Sequence, residues 1–281
     1  MSTSFSANPV TDLRELFAYP FMVHALQAGT IVAVTAALIG WFVVLRRESF
    51  VCHTLSVMSF PGASGAALAG LPLASGYYAC CVAGALVVAA GSRASEGSRS
   101  LARESAVVGT IGAVALALGF LFLSLYGGIL EDLETVLFGS VVGVTSGQVD
   151  TLLIVCVASV AVLAVIGRPL LFASIDEQSA RAAGVPVGGV GVAFLVLLGL
   201  AIAAIAQIVG VLLTFALLVA PAATAQLLTP RIGRALALAV AIALIEVWAA
   251  MAASYFTNVA LGFLVTTLAL AAYAGARIAR R

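Results

Sequence analysis

The chain has 281 residues, of which 63% are hydrophobic and 9% are charged, and its mean hydropathy is +1.20. A soluble domain is closer to half apolar and a quarter charged, so this composition excludes an ordinary soluble globular protein and indicates a membrane protein. The net charge of +1 arises from thirteen basic residues, all arginine, against twelve acidic residues. Nothing in that balance indicates a nucleic-acid-binding surface.

The apolar segments predict one transmembrane domain over residues 21–276. Residues 1–20 are polar or mixed and lack the pattern of a signal peptide, so we expect them to remain as an N-terminal extracytoplasmic segment. A spanning helix needs about 20 mostly apolar residues, which gives about nine spans, or eight to ten because Pro61-Gly62 interrupts the second and two gaps are very short. The predicted fold class is an all-α polytopic membrane helical bundle. The nine spans are 21–45, 51–70, 72–91, 106–126, 149–167, 190–206, 208–228, 235–256 and 259–276.

The charged residues predict the orientation, because cytoplasmic loops retain Lys and Arg. Twelve arginines follow the odd-numbered spans or close the chain, whereas the acidic residues cluster between the fourth and fifth spans. We therefore expect an N-terminus outside, a C-terminus inside and a basic cytoplasmic tail at 277–281 of an inner-membrane protein. The arginines are Arg46, Arg47, Arg93, Arg99, Arg103, Arg168, Arg181, Arg231, Arg234, Arg277, Arg280 and Arg281, and the acidic residues are Glu131, Asp132, Glu134 and Asp150.

The loops leave no room for a soluble catalytic domain, since only 127–148 outside and 168–189 inside exceed a short connection. The chain has no lysine and no GxxxxGK[ST] phosphate loop, so any ATPase must be another chain. An intramembrane enzyme also lacks a credible set of catalytic groups, because the sequence has neither paired in-membrane aspartates nor an HExxH motif.

The inside loop predicts a short helix on the cytoplasmic surface. Ser174 or Asp176 can cap it, Glu177 lies in its first turn, and Gly184 followed by Pro186 ends it. A helix of about two to three turns between two spans suits docking into a groove of a partner protein. The alternative is an interfacial amphipathic helix that only connects the spans.

The order of motifs resembles that of the permease subunits of ABC-type zinc, manganese and iron importers. The resemblance covers nearly the whole chain, through 42–62, 136–140, 172–186 and 209–225. It implies a homodimer or a heterodimer with a sister permease, cytoplasmic ATPase subunits that bind ATP and magnesium, and an extracytoplasmic metal-binding protein. It also implies that this chain binds no cofactor of its own and transports a metal ion as substrate. The 172–186 helix would be the coupling helix that meets the ATPase, through Phe172, Asp176, Ala180, Ala183 and Gly184.

Polar side chains in the second span are candidates for the translocation pathway, because polar groups in a bilayer are costly and mark pathways by default. Cys52, His53 and Ser56 have spacings that let them share one helix face. Imidazole and thiolate are good ligands for zinc and similar ions. We therefore expect this face to contact the metal, with His53 as the candidate ligand.

The chain departs from the family at this site. The usual pattern resembles Gly-Asp-Ala-Leu-Ser-His, with its aspartate and histidine offered to the ion, but here His53 occupies the aspartate position and Val57 the histidine position. His53 would act largely alone in each subunit, or be joined by Cys52 and by the same residues across a twofold axis. The alternatives are a chelate as cargo, a sister permease that supplies the ligands, or a structural histidine at a helix end.

Glu246 is the only acidic residue well inside an apolar segment. A buried carboxyl group either stays neutral or pairs with a cation. Glu246 could replace the missing aspartate, coordinate an ion, carry protons, or be hydrogen-bonded within the bundle. The sequence therefore predicts the permease subunit of an ATP-driven importer of a divalent transition metal or its chelate, with a proton-coupled secondary transporter that uses Glu246 as the alternative.

Overall fold

A computed structural model describes residues 20–94, 101–126, 136–137, 144–211, 213–257 and 259–280. These described residues form ten α-helices and no β-strand, which confirms the predicted all-α fold class. Nine helices are long, and each corresponds to one of the nine predicted spans. The helices are α1 Pro20–Leu45, α2 Ser49–Leu68, α3 Leu73–Ala94, α4 Leu101–Tyr126, α5 Ser146–Ile175, α6 Glu177–Ala182, α7 Val187–Val209, α8 Thr214–Leu228, α9 Ile232–Thr257 and α10 Leu261–Ala279.

Seven helices in the described part of the chain are long and apolar enough to cross a bilayer by length and composition. The two remaining long helices are α2, which continues through Pro61, and α8, which has 15 residues. The short gap between α7 and α8 is a true break, because Gly210 adopts a φ of 93°, in the left-handed region that favours glycine. The fold is thus a multi-pass helical bundle.

The fifth span differs most from the prediction. Helix α5 has 30 residues and continues through Pro169 to Ile175, so residues 168–175 are helical rather than part of a loop. Asp176 then adopts an extended conformation and breaks the chain direction, and α6 contains only the six residues Glu177–Ala182. The prediction of one helix over 172–186 is therefore wrong in extent, because its first turn belongs to the preceding span.

Helices α1 and α7 form the buried centre of the bundle. Helix α1 packs against α5, α7, α8 and α9, whereas α2 packs mainly between α3 and α4 and also contacts α7 and α8. Small residues allow the closest approaches, as expected where helices pack in a membrane. Gly40 of α1 lies against the backbone of Leu218 in α8, and Gly62 of α2 lies against Gly76 of α3.

Large apolar side chains remain exposed on α4 and α5. Phe120 is 49% exposed and Ile154 is 69% exposed. Such side chains have no reason to be buried when their solvent is lipid, so these two helices present the surface expected to face the acyl chains.

Candidate functional site

The turn between α1 and α2 fixes where the second span begins. The amide of Arg47 donates to Val44 O at 3.2 Å and the amide of Glu48 donates to Val43 O at 3.0 Å, while Arg47 has a φ of 59°. This pair of bonds is a Schellman motif, which ends α1 with a residue in the left-handed conformation. The Cys52 amide then donates to Glu48 O at 2.9 Å and starts α2 immediately.

The three polar residues predicted to share one face of α2 are divided between two faces. Cys52 is fully buried and Ser56 is 2% exposed, and the Ser56 hydroxyl donates to Cys52 O at 2.9 Å. His53 is exposed, and its ring meets the ring of Phe215 in α8 edge-on at a centroid distance of 5.3 Å. The predicted shared face therefore holds for Cys52 and Ser56 but not for His53.

Within the described part of one chain, no group of three or more His, Cys, Asp and Glu side chains lies close enough together to hold a metal ion. Since Cys52 is fully buried, its thiol is not presented beside the exposed imidazole of His53. Val57 is half-buried and offers no ligand atom.

Glu246 lies in the buried stripe of α9, between Ala243 and Ala250, and is 4% exposed. Neither carboxyl oxygen has a hydrogen-bond partner among the described residues. Helix α9 packs against α1, α8 and α10. The hydrogen-bonded arrangement considered above is therefore not found there, and Glu246 does not join His53 in a cluster.

The surface around α6 is built on an Asp176 cap. The Asp176 carboxylate accepts from the Ser179 amide at 3.0 Å and from the Ser179 hydroxyl at 2.5 Å. These hydrogen bonds, that of the hydroxyl first, hold the pKa of Asp176 below its usual value, since they favour the charged carboxylate. Ala180 is fully buried and anchors the helix, and an exposed ion pair joins Arg181 Nη2 to Glu177 Oε1 at 2.6 Å.

The flanks of α6 are exposed. Phe172 is 40% and Ile175 is 69% exposed at the end of α5, and Ala183 and Gly184 are exposed after α6. Gly184 has a φ of 82°, so the turn into α7 requires the conformational freedom of glycine. The structure thus agrees with the prediction that Asp176 caps the short helix and that the helix ends before Gly184. The apolar side chains of Phe172 and Ile175 are exposed on the same surface.

Comparison with known proteins places the whole bundle in one family. Residues 18–279 match the family described as "ABC 3 transport family". The chain belongs to this family. The match covers all four motifs, so the predicted resemblance to ABC importer permeases is confirmed, and the protein is a membrane transport subunit and not an enzyme.

Membrane proteins of named metal transport systems are similar to this chain over most of their length. The chain is 31% identical to the chelated iron transport system membrane protein YfeC of Yersinia pestis over 256 residues, which are 91% of this chain and 85% of that protein. It is 31% identical to the manganese transport system membrane protein MntC of Halalkalibacterium halodurans over 243 residues, 86% of this chain and 80% of that protein. The solved structure of PsaBC from Streptococcus pneumoniae in complex with Fab has the same fold, with a TM-score of 0.83, 24% identity and coverage of 96% of this chain and 95% of that chain.

Two of the family motifs meet in the structure. The Val211 amide donates to Val136 O at 3.2 Å, which joins the 136–140 motif to the 209–225 motif. Several predicted features lie outside the described residues, wholly or in their side chains. They are positions 138–140 of the 136–140 motif, the N-terminal segment 1–19, the acidic residues Glu131, Asp132 and Glu134, and the arginines Arg93, Arg99, Arg103 and Arg281.

The sequence indicates Arg46 only as one of the inside arginines, but in the structure its side chain contacts Glu48, Ser174 and Phe194. Its guanidinium bonds Glu48 Oε1 through Nε at 2.9 Å and through Nη2 at 2.7 Å. Nη1 donates to the Ser174 hydroxyl at 3.4 Å, and Cζ lies 5.4 Å from the centre of the Phe194 ring. The signal that could have indicated Arg46 is its place in the 42–62 motif, directly before the Schellman turn.

Proposed function

We propose that the chain is the permease subunit of an ATP-driven importer for a divalent first-row transition metal or its chelate. The similarity to transport proteins named for chelated iron and for manganese, over more than four fifths of the chain, carries this proposal. Sequence similarity of about 30% does not choose among iron, manganese and zinc. Because Cys52 is withdrawn into the core, we expect a site based on imidazole and oxygen ligands, which suits several of these ions.

In the proposed complex, α6 and its flanks contact a separate cytoplasmic ATPase that binds ATP and magnesium. The uncovered side chains of Phe172 and Ile175 and the exposed positions 183 and 184 support this assignment, since an apolar patch on a soluble surface commonly marks a protein contact. The chain would lie with its N-terminus outside and its C-terminus inside. A second permease copy or sister permease and an extracytoplasmic metal-binding protein would complete the system.

The coupling assignment is tested with one exposed position and its conservative control. The permease and its ATPase are reconstituted in proteoliposomes, and uptake of radioactive manganese, zinc or iron is measured with and without ATP. Ala183→Glu should abolish ATP-driven uptake because it adds a charge where the partner would pack, whereas Ala183→Ser should keep it. Full uptake by Ala183→Glu would show that this surface does not meet the ATPase.

For the pathway we propose that His53 contacts the cargo and that two copies of it face each other across a twofold axis. Its exposure beside Phe215 supports this, because an imidazole without cover is available to a ligand. Buried Cys52 is adjacent in sequence and provides a matched control. His53→Ala should lower uptake at limiting metal concentration, and Cys52→Ala should not. Equal uptake by both variants, or a loss confined to Cys52→Ala, would place the pathway elsewhere.

A second candidate function, proton-coupled transport, is favoured by one observation, the burial of Glu246 without a hydrogen-bond partner in the described chain. A carboxyl group in that setting can exchange a proton as the bundle moves. It predicts metal uptake by proteoliposomes that contain the permease alone under an imposed proton gradient. Uptake that requires ATP and the ATPase, and that survives a protonophore, would refute this second function.

A further inference from the structure

We infer that Arg46 is a positioning residue that joins the α6 surface to the N-terminal end of α2, next to His53. The inference rests on the proposed coupling of this chain to an ATPase. Arg46 itself belongs to neither the proposed cargo site nor the proposed ATPase surface, and its contacts join elements that are far apart in sequence.

The first half of the connection leads from α6 to Arg46. Ser174 lies two residues before the Asp176 cap, and its hydroxyl accepts from Arg46 Nη1 at 3.4 Å while it donates to Leu170 O at 2.5 Å. The guanidinium also stacks near Phe194 of α7, a side chain with no exposure. Since α6 is suspended between α5 and α7, Arg46 contacts both helices that hold it.

The second half leads from Arg46 to His53. Arg46 donates from two nitrogens, Nε and Nη2, to the same oxygen of Glu48, Oε1. The side chains of Arg46 and Glu48 are only 18% and 20% exposed. Ion pairs with little solvent are screened less than surface pairs. The backbone oxygen of Glu48 accepts from the Cys52 amide, so Glu48 belongs to the first hydrogen bond of α2. His53 is the next residue.

Through these contacts, a displacement of α6 would be transmitted to the start of α2. A movement of Ser174 changes the position of the guanidinium, and the guanidinium fixes the side chain of Glu48 at the head of the helix. Arginine suits this role because its planar fork can bond partners on two sides, whereas lysine has one compact ammonium group. Arg47 is the matched control, since it has the same charge in the same turn but is exposed.

The test measures metal uptake and ATP hydrolysis in the same proteoliposomes, with the permease, its ATPase and its metal-binding protein. Arg46→Gln should lower the number of metal ions moved per ATP by roughly 2–30-fold, the range seen for residues on coupling routes. ATP hydrolysis should persist, and Arg47→Gln should keep the wild-type ratio. Arg46→Lys keeps the charge beside Glu48 and so the fold, and it should also lower the ratio.

Ser174→Ala separates the proposed route from a local role of the ion pair. It should also lower the number of metal ions moved per ATP. The double variant Arg46→Gln/Ser174→Ala should have the same ratio as Arg46→Gln alone, because both changes remove the same contact, that between Arg46 and Ser174. A wild-type ratio in Arg46→Gln, a fall of uptake and hydrolysis in proportion, or additive effects of the two changes would overturn the inference. A wild-type complex that takes up no metal with ATP would instead refute the proposed function before any variant is compared.

Discussion

Gly40 provides the strongest structural prediction for the bundle, because it lies where α1 packs directly against the backbone of α8. A Cβ added to Gly40 would overlap the carbonyl oxygen of Leu218 and lie 2.8 Å from the carbonyl carbon and 3.3 Å from Cα of that residue. The obstacle is backbone, which cannot rotate away as the end of a side chain would. Gly40→Ala therefore forces α1 and α8 apart.

The magnitude follows from two opposing terms. Alanine favours a helix by about 1 kcal/mol over glycine, whereas overpacking a well-packed interior costs about 1–3 kcal/mol. Contact with backbone places this site at or above the upper end of that range, so we expect a net loss of about 2 kcal/mol. For a chain of a few hundred residues this lowers Tm by roughly 4–8 °C.

Unfolding can be measured through three buried free cysteines, Cys52, Cys81 and Cys156, whose thiols become reactive when the bundle opens. Thermal unfolding in detergent is followed with a thiol-reactive fluorophore, with Gly275→Ala as the control. Gly275 lies in α10 with nothing within 4 Å of an added Cβ, so its substitution should leave Tm unchanged or raise it. A Tm for Gly40→Ala equal to that of Gly275→Ala would refute the argument that this crossing requires glycine.

Three further predictions concern single residues and use hydrogen exchange or the same thiol assay. Arg47→Gly should raise stability by about 1 kcal/mol because glycine adopts the left-handed conformation without strain, and a fall in Tm would contradict this. Asp176→Ala should speed exchange of the Ser179 amide at neutral pH, whereas Asp176→Asn keeps an acceptor and should preserve protection. Because the pKa of Asp176 is lowered, the wild-type cap is at full strength above the ordinary carboxyl pKa and weakens only as pH falls through the lowered value, so weaker protection already at the ordinary carboxyl pKa would argue against the cap. Glu246→Leu should stabilise the protein by about 1–3 kcal/mol, since it removes a buried polar group that lacks a partner, and a lower Tm would reveal a contact that the carboxyl group makes.

The positions of the long helices could be predicted because apolar length alone defines a span. The end of the fifth span could not, because Arg168-Pro169 resembles a stop signal in a bilayer but is compatible with a helix that continues into water. Pro169 removes only one intrahelical donor, and the chain turns only where Asp176 can cap the next helix. Local capping chemistry therefore decided the boundary that hydropathy could not.

The candidate site was less predictable than the fold. Cys52 and His53 are neighbours in a segment whose polar and apolar residues are spread over all sides of the helix, so the pattern does not show which of the two is buried. The contact of Arg46 with Ser174 joins residues 128 positions apart, and no local pattern encodes it. Asp176 and Gly184 were predictable because capping and a left-handed turn depend on residue types within a few positions.

The length of α5 determines how far α6 stands from the lipid. Thirty residues make a helix of about 45 Å, against a hydrocarbon core of about 30 Å. A tilt of roughly 48° would be needed to place the whole helix within the hydrocarbon core, and this lies outside the range of about 0–40° found for spanning helices. With its first residue at one edge of that core and no tilt, α5 would extend about 15 Å past the other edge, through a headgroup layer of about 5–7 Å. We therefore expect the α6 surface to stand at or just beyond the headgroups, where a soluble partner can reach it.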